Sequence, residues 1–237
     1  MIPRSTISVA MATHNGALYL QDQLASFLTQ ELAPLELVIT DDCSKDETVS
    51  LIENFSVNAP FPVRLEKNTD RLGYGRNFLK AASICKGTHV AFCDQDDVWL
   101  PNKLSQVSFV LAKEDYDLVA HSAKVVDRGL NWLGVNFPDI NCTGPLNLED
   151  TQGRLFFPGF TLTVSRSLLK VLESEMGQAA STYDEKFAHD ELICECASEQ
   201  GKCFVISEPL ALYRQHENNL IGFHGAIKTS DNYPRTV

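Results

Sequence analysis

The stretch "AFCDQDDVWLP", residues 91–101, ends an apolar run on a group of aspartates. Asp94, Asp96 and Asp97 are separated only by Gln95. Carboxylates this close repel one another, and each loses hydration where the chain leaves a core. A bound divalent cation would relieve the repulsion, and oxygen ligands suit Mg2+ or Mn2+. The alternative interpretation is a solvated acidic loop in which Asp97 caps the helix that follows.

The segments before this stretch alternate between two hydrophobic periods. Strand-like runs occupy 6–13, 35–40, 63–68 and 88–94, and helix-like runs occupy 17–30, 47–56 and 73–85. This alternation predicts an α/β fold with a mostly parallel central sheet and helices on both faces. Ligands of such sheets bind beyond the carboxyl ends of the strands. Those ends carry Thr13 to Asn15, Asp41 with Asp42, and the aspartate group, so the sequence predicts a binding site there.

Two local patterns define the first helices. Apolar residues recur at helical spacing within 17–30 and predict its buried face, namely Leu18, Leu20, Leu24, Phe27 and Leu28. Ser44 with Glu47 three residues later is typical of a capping box that opens the second helix. Turn and cap chemistry is also the favoured interpretation of Asp46 and an alternative one for Asp42.

The second half of the chain is less regular. It contains a strand-like run at 116–127, a turn-rich segment at 129–150, a loop, strand and helix within 156–174, a helix at 189–201, and a strand-like run with a proline break at 202–216. There is no internal repeat and no low-complexity linker. The sequence therefore predicts a single domain over 1–237.

The bulk composition excludes several classes of protein. Of the 237 residues, 44% are hydrophobic and 22% are charged, as in a soluble globular protein. The net charge of −11 argues against a nucleic-acid binder. No apolar run reaches the ~20 residues that span a bilayer, and the N-terminal residues lack a signal-peptide pattern. The seven cysteines are scattered and odd in number, which favours a reducing, cytoplasmic setting, and they lack the paired spacing of a zinc site.

Several ordered motifs resemble those of the family 2 glycosyltransferases of GT-A fold. They are "VAMATHNGALYLQDQLASFLTQ", "ELVITDDCSKDET", "NTDRLGYGRNFLKAASICKGTHVAFCDQDDVWLPNKL" and "LALYRQHENNLIG". The similarity extends from about residue 6 to about residue 222. Within the family, the motifs more specifically resemble a bacterial branch that contains many rhamnosyltransferases of polysaccharide assembly. It implies a GT-A domain with a nucleotide-binding half at 1–100, an acceptor-binding half at 101–222 and a tail at 223–237.

The resemblance implies a set of residues that bind the nucleotide sugar. They are Thr13, Asn15, Asp41, Arg76, Asp94 and Arg214. Thr13 and Asp41 match positions that grip the base, and an ionised Asp41 can accept the imide N–H of uracil or thymine. Arg76 matches an arginine near the base and phosphates. Asp94 matches a residue near the ribose or the metal, and Arg214 would offset phosphate charge.

The same resemblance implies the metal ligands and the general base. Asp96 matches a direct ligand of Mn2+ or Mg2+, and His216 matches a residue that reaches the metal or the pyrophosphate. Asp190 matches the general base, at the start of a helix whose dipole favours the ionised carboxylate. Glu191 is the alternative base.

The chain departs from the family pattern at two sites. His14 stands where relatives carry Tyr or a similar residue, and Glu191 with Leu192 stands where an aromatic pair is common. The second departure lies where relatives shape the acceptor site, so the identity of the acceptor is left open. The irregular segment 129–158 is expected to face the acceptor, and Gly159 is expected to allow its close approach.

The implied activity is a metal-dependent, inverting transfer of a sugar from a dTDP- or UDP-linked donor, as in the hexosyltransferases. The acceptor would be a hydroxyl of a growing bacterial surface polysaccharide or of a lipid-linked glycan. The setting would be the cytoplasm or the inner face of the cell membrane, with peripheral membrane contact left open. Rhamnose from dTDP-rhamnose is the favoured donor sugar, and the oligomeric state is not predicted.

Other functions remain as alternatives. One is a transferase with a UDP-hexose donor, and another is a nucleotide-sugar-binding module without activity. A nucleotidyltransferase is disfavoured because "ATHNGALYL" has no Lys or Arg to bind phosphates after the first strand. The intact set of Asp94, Asp96, Asp190 and His216 argues against the binding module.

Overall fold

The computed structural model describes residues 5–146, 156–178, 188–217 and 219 of the chain. The strands in these ranges are β1 (Ile7–Thr13), β2 (Glu36–Asp41), β3 (Val63–Lys67), β4 (His89–Cys93), β5 (Val98–Trp99), β6 (Leu118–Val126), β7 (Trp132–Asn136), β8 (Gly144–Leu146), β9 (Leu162–Ser165) and β10 (Cys203–Arg214). The helices are α1 (Ala17–Leu28), α2 (Thr48–Asn58), α3 (Tyr74–Ile84), α4 (Lys103–Leu111), α5 (Arg166–Gln178) and α6 (His189–Gln200). A 3-10 turn at Gly159–Thr161 leads directly into β9.

These strands form one ten-stranded sheet. The main order is β3-β2-β1-β4-β9-β6-β10-β5, while β7 pairs with β6 and β8 pairs with β10. β3, β2, β1 and β4 are parallel, and β10 is parallel to β6. Because β9 is antiparallel to both β4 and β6, the strands on its two sides point the same way. The predicted mostly parallel central sheet is confirmed. The strands β3, β2, β1, β4, β6 and β10 run in one direction and end at one edge, called here the carboxyl edge.

Each strand sends alternate side chains to opposite faces of the sheet. In β1, Val9 and Met11 join one hydrophobic cluster, whereas Ala10 and Ala12 join the other. The first cluster includes buried residues of α1, α2 and α4, and the second includes those of α3, α5 and α6. The predicted placement of helices on both faces is therefore confirmed.

The buried face of α1 is narrower than the sequence predicts. Leu20, Leu24 and Phe27 are at most 3% exposed and share one side of the helix. Leu18 and Leu28, which were also expected on the buried face, are 68% and 53% exposed. At about 100° per residue, Leu18 lies nearly opposite Leu20 and Leu28 lies to the side, so that part of the prediction is wrong.

The capping box predicted for α2 is also wrong. The helix begins at Thr48 and has no side-chain hydrogen bond from its cap residue Glu47. The Ser44 hydroxyl donates to Asp41 instead. Asp46 provides the local turn chemistry that was expected of it, because its Oδ1 accepts the Thr48 N–H at 3.0 Å.

The turn-rich segment 129–150 contains two strands that its sequence did not indicate, β7 and β8. The side chains of β7 are exposed from Trp132 to Val135, so no alternation of apolar and polar residues marks it. Each of these strands lies beside the main path and pairs with one neighbour. The predicted proline break in the last strand is confirmed, because the register of β10 with β6 shifts on both sides of Pro209.

The cysteines form no disulfide bonds. All seven are free thiols, and Cys85, Cys93, Cys194, Cys196 and Cys203 are buried. Within the described ranges, no helix combines the length and apolar character needed to span a bilayer.

Candidate active site

Gln95, the residue between the aspartates, joins two loops at the carboxyl edge. Its side-chain oxygen accepts the backbone N–H of His14 at 2.9 Å, and its amide donates to the His14 carbonyl at 3.1 Å. Gly16 makes room for this contact, because a Cβ there would lie 2.2 Å from Oε1 of Gln95. Gln95 therefore holds Asp94 and Asp96 beside the loop that follows β1.

The loops after β1 and β2 are joined as well. The N–H of Asn15 donates to Ser44 Oγ at 2.9 Å, and Asn15 Oδ1 accepts the N–H of Lys45 at 2.8 Å. Nδ1 of His14 lies 2.7 Å from the carbonyl oxygen of Asp42. Asn15 has a φ of 46°, and left-handed backbone of this kind concentrates at functional sites. In this structure the predicted site residue Asn15 bridges the two loops.

Thr13 and Asp41 lie side by side at the ends of β1 and β2. The Thr13 hydroxyl donates to Oδ2 of Asp41 at 2.9 Å, and the N–H of Ser44 donates to Oδ1 at 2.9 Å. The Ser44 hydroxyl also donates to Oδ2. Asp41 is 2% exposed, so its carboxylate organises these loops from within. Its contact with a nucleobase stays a prediction.

Asp42 holds the segment that leads into α3. Its carboxylate accepts the N–H groups of Leu72 and Gly73 at 2.8 and 3.0 Å and the side-chain amide of Asn68 at 2.9 Å. Gly73 has a φ of 81°, a value that favours glycine. Arg76 follows in the first turn of α3, where its side chain is exposed. The structure thus brings Arg76 to the same edge as the strand ends.

The aspartates after β4 lie in an acidic, partly buried environment. Burial and the neighbouring charges of Asp96 and Asp190 raise the pKa of Asp94 to about 8. Burial and the same turn's charges also raise the pKa of Asp97. Asp97 does not cap α4; its Oδ1 accepts the N–H of Arg214 at 3.0 Å, and its Oδ2 has no partner among the described residues. Crowded acids of this kind favour the binding of a cation.

Lys103 is a buried cation near this turn that the sequence did not indicate. Its side chain is fully buried, its Nζ donates to the carbonyl of Phe160 at 2.8 Å, and the Nζ lies 3.7 Å from the ring centroid of Trp99. Burial lowers the pKa of this amine to about 7, although Cys93 and two carboxylates of the turn oppose the change. Its position in α4 gave no local sign of burial, because an isolated lysine in a helix is usually exposed.

Asp96 and His216 meet at the carboxyl edge from distant parts of the chain. Nε2 of His216 lies 2.9 Å from Oδ2 of Asp96. Adjacent octahedral ligands with bonds of about 2.1 Å lie about 3 Å apart, so the two donors fit Mg2+ or Mn2+. The described residues contain no group of three or more His, Cys, Asp or Glu side chains arranged to hold a metal. The pair therefore fits an ion that takes its other ligands from phosphate or water.

Arg214 is a buried side chain that connects three segments at this corner of the site. Its Nε donates to the Asp96 carbonyl at 2.9 Å, Nη1 donates to the Arg128 carbonyl at 3.0 Å, and Nη2 pairs with Asp22 at 2.7 Å. The residue is 3% exposed. These contacts tie the aspartate turn to α1 and to the end of β6. The predicted contact of Arg214 with phosphate stays a prediction.

Tyr19 was missed by the sequence analysis and completes this corner. Its ring stacks on the His216 imidazole with centroids 4.5 Å apart, and it lies 4.7 Å from the guanidinium carbon of Arg214. Its hydroxyl accepts Nε of Arg128 at 3.1 Å. The available signal in the sequence was the position of Tyr19, an amphipathic aromatic residue in the first turn of the helix that follows β1.

Asp190, the predicted base, lies at the start of α6 and interacts electrostatically with Asp94. Its Oδ2 accepts the N–H of Gly159 at 3.0 Å, and its Oδ1 accepts the N–H of Glu191 at 3.1 Å. Burial raises the pKa of Asp190 above its ordinary value of 3.8, and backbone hydrogen bonds from Gly159, Glu191 and Asp190 itself oppose that rise. The alternative base, Glu191, is exposed. A buried carboxylate with a raised pKa beside the aspartate turn is suited to accept a proton.

The sequence predicted that Gly159 would leave space for an acceptor, but the structure does not show such a space. A Cβ there would lie 2.5 Å from Nε2 of His189, so the imidazole already occupies that space. Part of the segment expected to face the acceptor, residues 147–155, lies outside the described residues. The acceptor-facing role of that segment stays a prediction.

Several known proteins are similar to this chain. The chain matches the family model described as glycosyl transferase family 2 over residues 8–172. It is 26% identical over 232 residues to the dTDP-rhamnosyl transferase RfbG of Shigella flexneri, and the alignment covers 92% of this chain and 75% of that protein. It is 33% identical over 101 residues to the abequosyltransferase RfbV of Salmonella typhimurium, which covers 42% of this chain and 30% of that protein.

Solved structures show the same fold. The crystal structure of residues 1–349 of S. aureus TarS in complex with UDP-GlcNAc matches with a TM-score of 0.73 at 23% identity, over 90% of this chain and 59% of that chain. This chain therefore spans about three fifths of the TarS chain. The family model covers most of the sequence, its matched region includes the aspartate turn, and the fold agrees. The chain belongs to glycosyl transferase family 2.

Proposed function

We propose that this domain transfers a sugar from a nucleoside-diphosphate sugar to an acceptor hydroxyl, with inversion at the anomeric carbon and with Mn2+ or Mg2+ at Asp96 and His216. The observation that carries the proposal is the convergence of Asp96, His216, Asp94 and Asp190 at the carboxyl edge. Family membership supports the reaction class. The TarS complexes with UDP-GlcNAc and UDP support a nucleoside diphosphate as the leaving group.

Asp190 acts as the general base in this proposal. Its carboxylate removes the proton of the acceptor hydroxyl while the hydroxyl oxygen attacks the anomeric carbon. The bond from that carbon to the diphosphate oxygen breaks in the same step, so no covalent intermediate forms and the configuration inverts. The N–H groups of Gly159 and Glu191 hold the carboxylate in place, and each of its oxygens keeps a lone pair for the acceptor proton.

Asp96 and His216 are the proposed metal ligands. When bound, the ion offsets the negative charge that develops on the departing diphosphate. Both ligands are oriented by neighbours, because Tyr19 stacks on the imidazole and Arg214 donates to the Asp96 carbonyl. Such supporting contacts commonly tune metal sites.

The favoured donor is dTDP-rhamnose. The similarity to the dTDP-rhamnosyl transferase RfbG extends over 92% of this chain and supports that choice. A UDP-hexose is the alternative donor, supported by the TarS complex with UDP-GlcNAc. The proposed acceptor is a hydroxyl of a bacterial surface polysaccharide or a lipid-linked glycan.

The test of the base is donor turnover with Mn2+ by the Asp190→Asn variant. This change keeps the size of the side chain but removes the proton acceptor, so we expect a rate loss of about 10²-fold or more with donor affinity nearly unchanged. Glu191→Gln is the matched control, since it removes the adjacent exposed carboxylate. Wild-type turnover by Asp190→Asn, with loss in Glu191→Gln, would move the base to Glu191.

The same assay tests the metal and the binding-module alternative. Excess chelator and the Asp96→Ala change should each abolish turnover and the Mn2+-dependent binding of a nucleoside diphosphate. Full wild-type activity in chelator contradicts the metal role. Mn2+-dependent binding without turnover of any dTDP- or UDP-sugar, in the presence of glycan acceptors, favours a binding module.

A further inference from the structure

His189 is a buried imidazole that the proposed reaction does not use. It is 4% exposed, and neither ring nitrogen has a hydrogen-bond partner among the described residues. Burial lowers its pKa to about 3, so the ring is neutral at any pH near neutrality. A buried polar ring without partners is less favourable than an apolar side chain of similar size. Its presence beside the base therefore calls for an explanation in the geometry of the site.

The imidazole is wedged in place by aromatic neighbours. It stacks on Phe78 with ring centroids 4.2 Å apart and an interplanar angle of 20°, and it lies 5.2 Å from the ring of Phe92. Its outer edge faces Gly159, where an added Cβ would lie 2.5 Å from Nε2 and 2.9 Å from Cε1. The ring thus occupies the place that any side chain at position 159 would take.

Gly159 in turn contacts the base. Its N–H donates to Oδ2 of Asp190 at 3.0 Å, and the next carbonyl, that of Phe160, accepts the Lys103 ammonium group at 2.8 Å. We infer that His189 is a positioning residue for Asp190, because its packed ring sets the place of Gly159 and so aims the Gly159 N–H at the carboxylate. This inference rests on the proposed role of Asp190 as the base.

The hydrogen bond affects the charge of Asp190 as well as its orientation. The N–H of Gly159 favours the ionised carboxylate and opposes the effect of burial. The groups that face Asp190 electrostatically are Asp94 after β4, Tyr74 at the start of α3, and Cys194 on α6. With Glu191 beside it, none of these described groups is a cation. Backbone donors, the N–H of Gly159 first among them, are what favours the ionised carboxylate here.

The experiment compares Gly159→Ala, His189→Ala and the double variant, with Val57→Ala as control because that side chain is 80% exposed near the end of α2. Gly159→Ala should push the backbone away from the ring and weaken the bond to Asp190. We expect kcat to fall about 10-fold or more, the acid limb of the kcat–pH profile to move to higher pH, and the donor KM to stay within about twofold. The double variant has room for the methyl group, so it should recover part of the kcat and move the limb back. Val57→Ala should match the wild type.

Two results overturn the inference. One is a folded Gly159→Ala variant with the wild-type acid limb, and the other is a double variant no better than Gly159→Ala. If Gly159→Ala does not fold, His189→Ala alone decides. If His189 positions Gly159, this variant should show an acid limb moved to higher pH. If the ring is purely structural, the variant should melt at a lower temperature and keep the wild-type acid limb. If Asp190→Asn is inactive but the acid limb of the Gly159 and His189 variants is unmoved, only the positioning role of His189 is rejected. If Asp190→Asn is active, the role of Asp190 as the base is rejected.

Discussion

At the scale of single residues, the partners of each carboxylate at the carboxyl edge decide what it can do. Asp41 accepts three hydrogen bonds from Thr13 and Ser44, which makes it an organiser of loops. Asp94 faces other acids and has a pKa raised to about 8. Asp190 is buried but retains two backbone donors. These three aspartates thus differ in charge and availability because their surroundings differ.

The predicted recognition of the nucleobase by Asp41 can be tested through nucleotide preference. An ionised carboxylate accepts the N3–H of uracil or thymine, whereas cytosine presents an unprotonated N3 to it. With Mn2+, UDP and dTDP should bind about ten- to a hundred-fold more tightly than CDP, the effect of leaving a polar group unpaired at ~1–3 kcal/mol. The Asp41→Ala variant should narrow that gap in calorimetric titrations.

Thr13→Val is the matched control for this prediction. It removes one donor to Asp41 but keeps the carboxylate, so the preference for UDP over CDP should persist. Equal affinity of the wild type for CDP and UDP would reject base recognition by Asp41 and leave the metal and base assignments untouched.

At the scale of elements, the sequence predicted those parts whose burial is periodic. Buried strands such as β1, β2 and β4 and the helices between them leave a local hydrophobic pattern, and they occur within a few residues of the expected bounds. β7 left no such pattern because its side chains from Trp132 to Val135 are exposed. Residues 101–222 were therefore less predictable than residues 1–100.

The candidate site was also predictable only in part, because only some of its residues are placed by the order of the strands. Residues that directly follow strands, such as Asp41 and Asp96, can be placed at one edge from topology alone. The contact between Asp96 and His216 joins residues 120 positions apart and was indicated only by the resemblance. Gln95 and Tyr19 were missed because their roles arise from contacts between separate loops, which no local pattern encodes.

The junction between α3 and β4 leads to a prediction about stability. A Cβ at Gly87 would lie 2.7 Å from the backbone nitrogen of Ser8 and 2.8 Å from the carbonyl oxygens of Thr6 and His89. These are backbone atoms of the β1–β4 pairing, so they have little freedom to move. Gly87→Ala should therefore lower the free energy of unfolding by about 1–3 kcal/mol, as overpacking does.

Urea unfolding followed by circular dichroism measures this effect. Gly144→Ala is the control, since a Cβ there meets nothing within 4 Å, and its midpoint should equal or slightly exceed that of the wild type. Equal midpoints for Gly87→Ala and Gly144→Ala would mean that the strand ends can shift without cost, against the close β1–β4 register described above.

At the scale of the whole molecule, the two halves of the chain share one core. The cluster on one face of the sheet contains Val9 and Ile39 from residues 1–100 together with Val119 and Tyr213 from residues 101–222. The sheet continues across both halves without a break, since β9 pairs with β4 and with β6. Neither half buries its apolar surface alone, so the described residues should unfold as one cooperative unit.

The two tryptophans allow a direct test of this cooperativity. Trp99 is 1% exposed, packs edge-on against Phe27 with ring centroids 5.0 Å apart and lies beside Lys103, whereas Trp132 is 57% exposed. In a Trp132→Phe variant the fluorescence reports only the buried Trp99, at the junction of the two halves. Its urea transition should coincide with the loss of helix measured by circular dichroism, and UDP with Mn2+ should move both transitions to higher urea together, because a ligand of the folded state stabilises the whole unit. A fluorescence transition that precedes the loss of helix would show that the aspartate turn and its surroundings open before the rest of the sheet, and the shared core would then not make the molecule one unit.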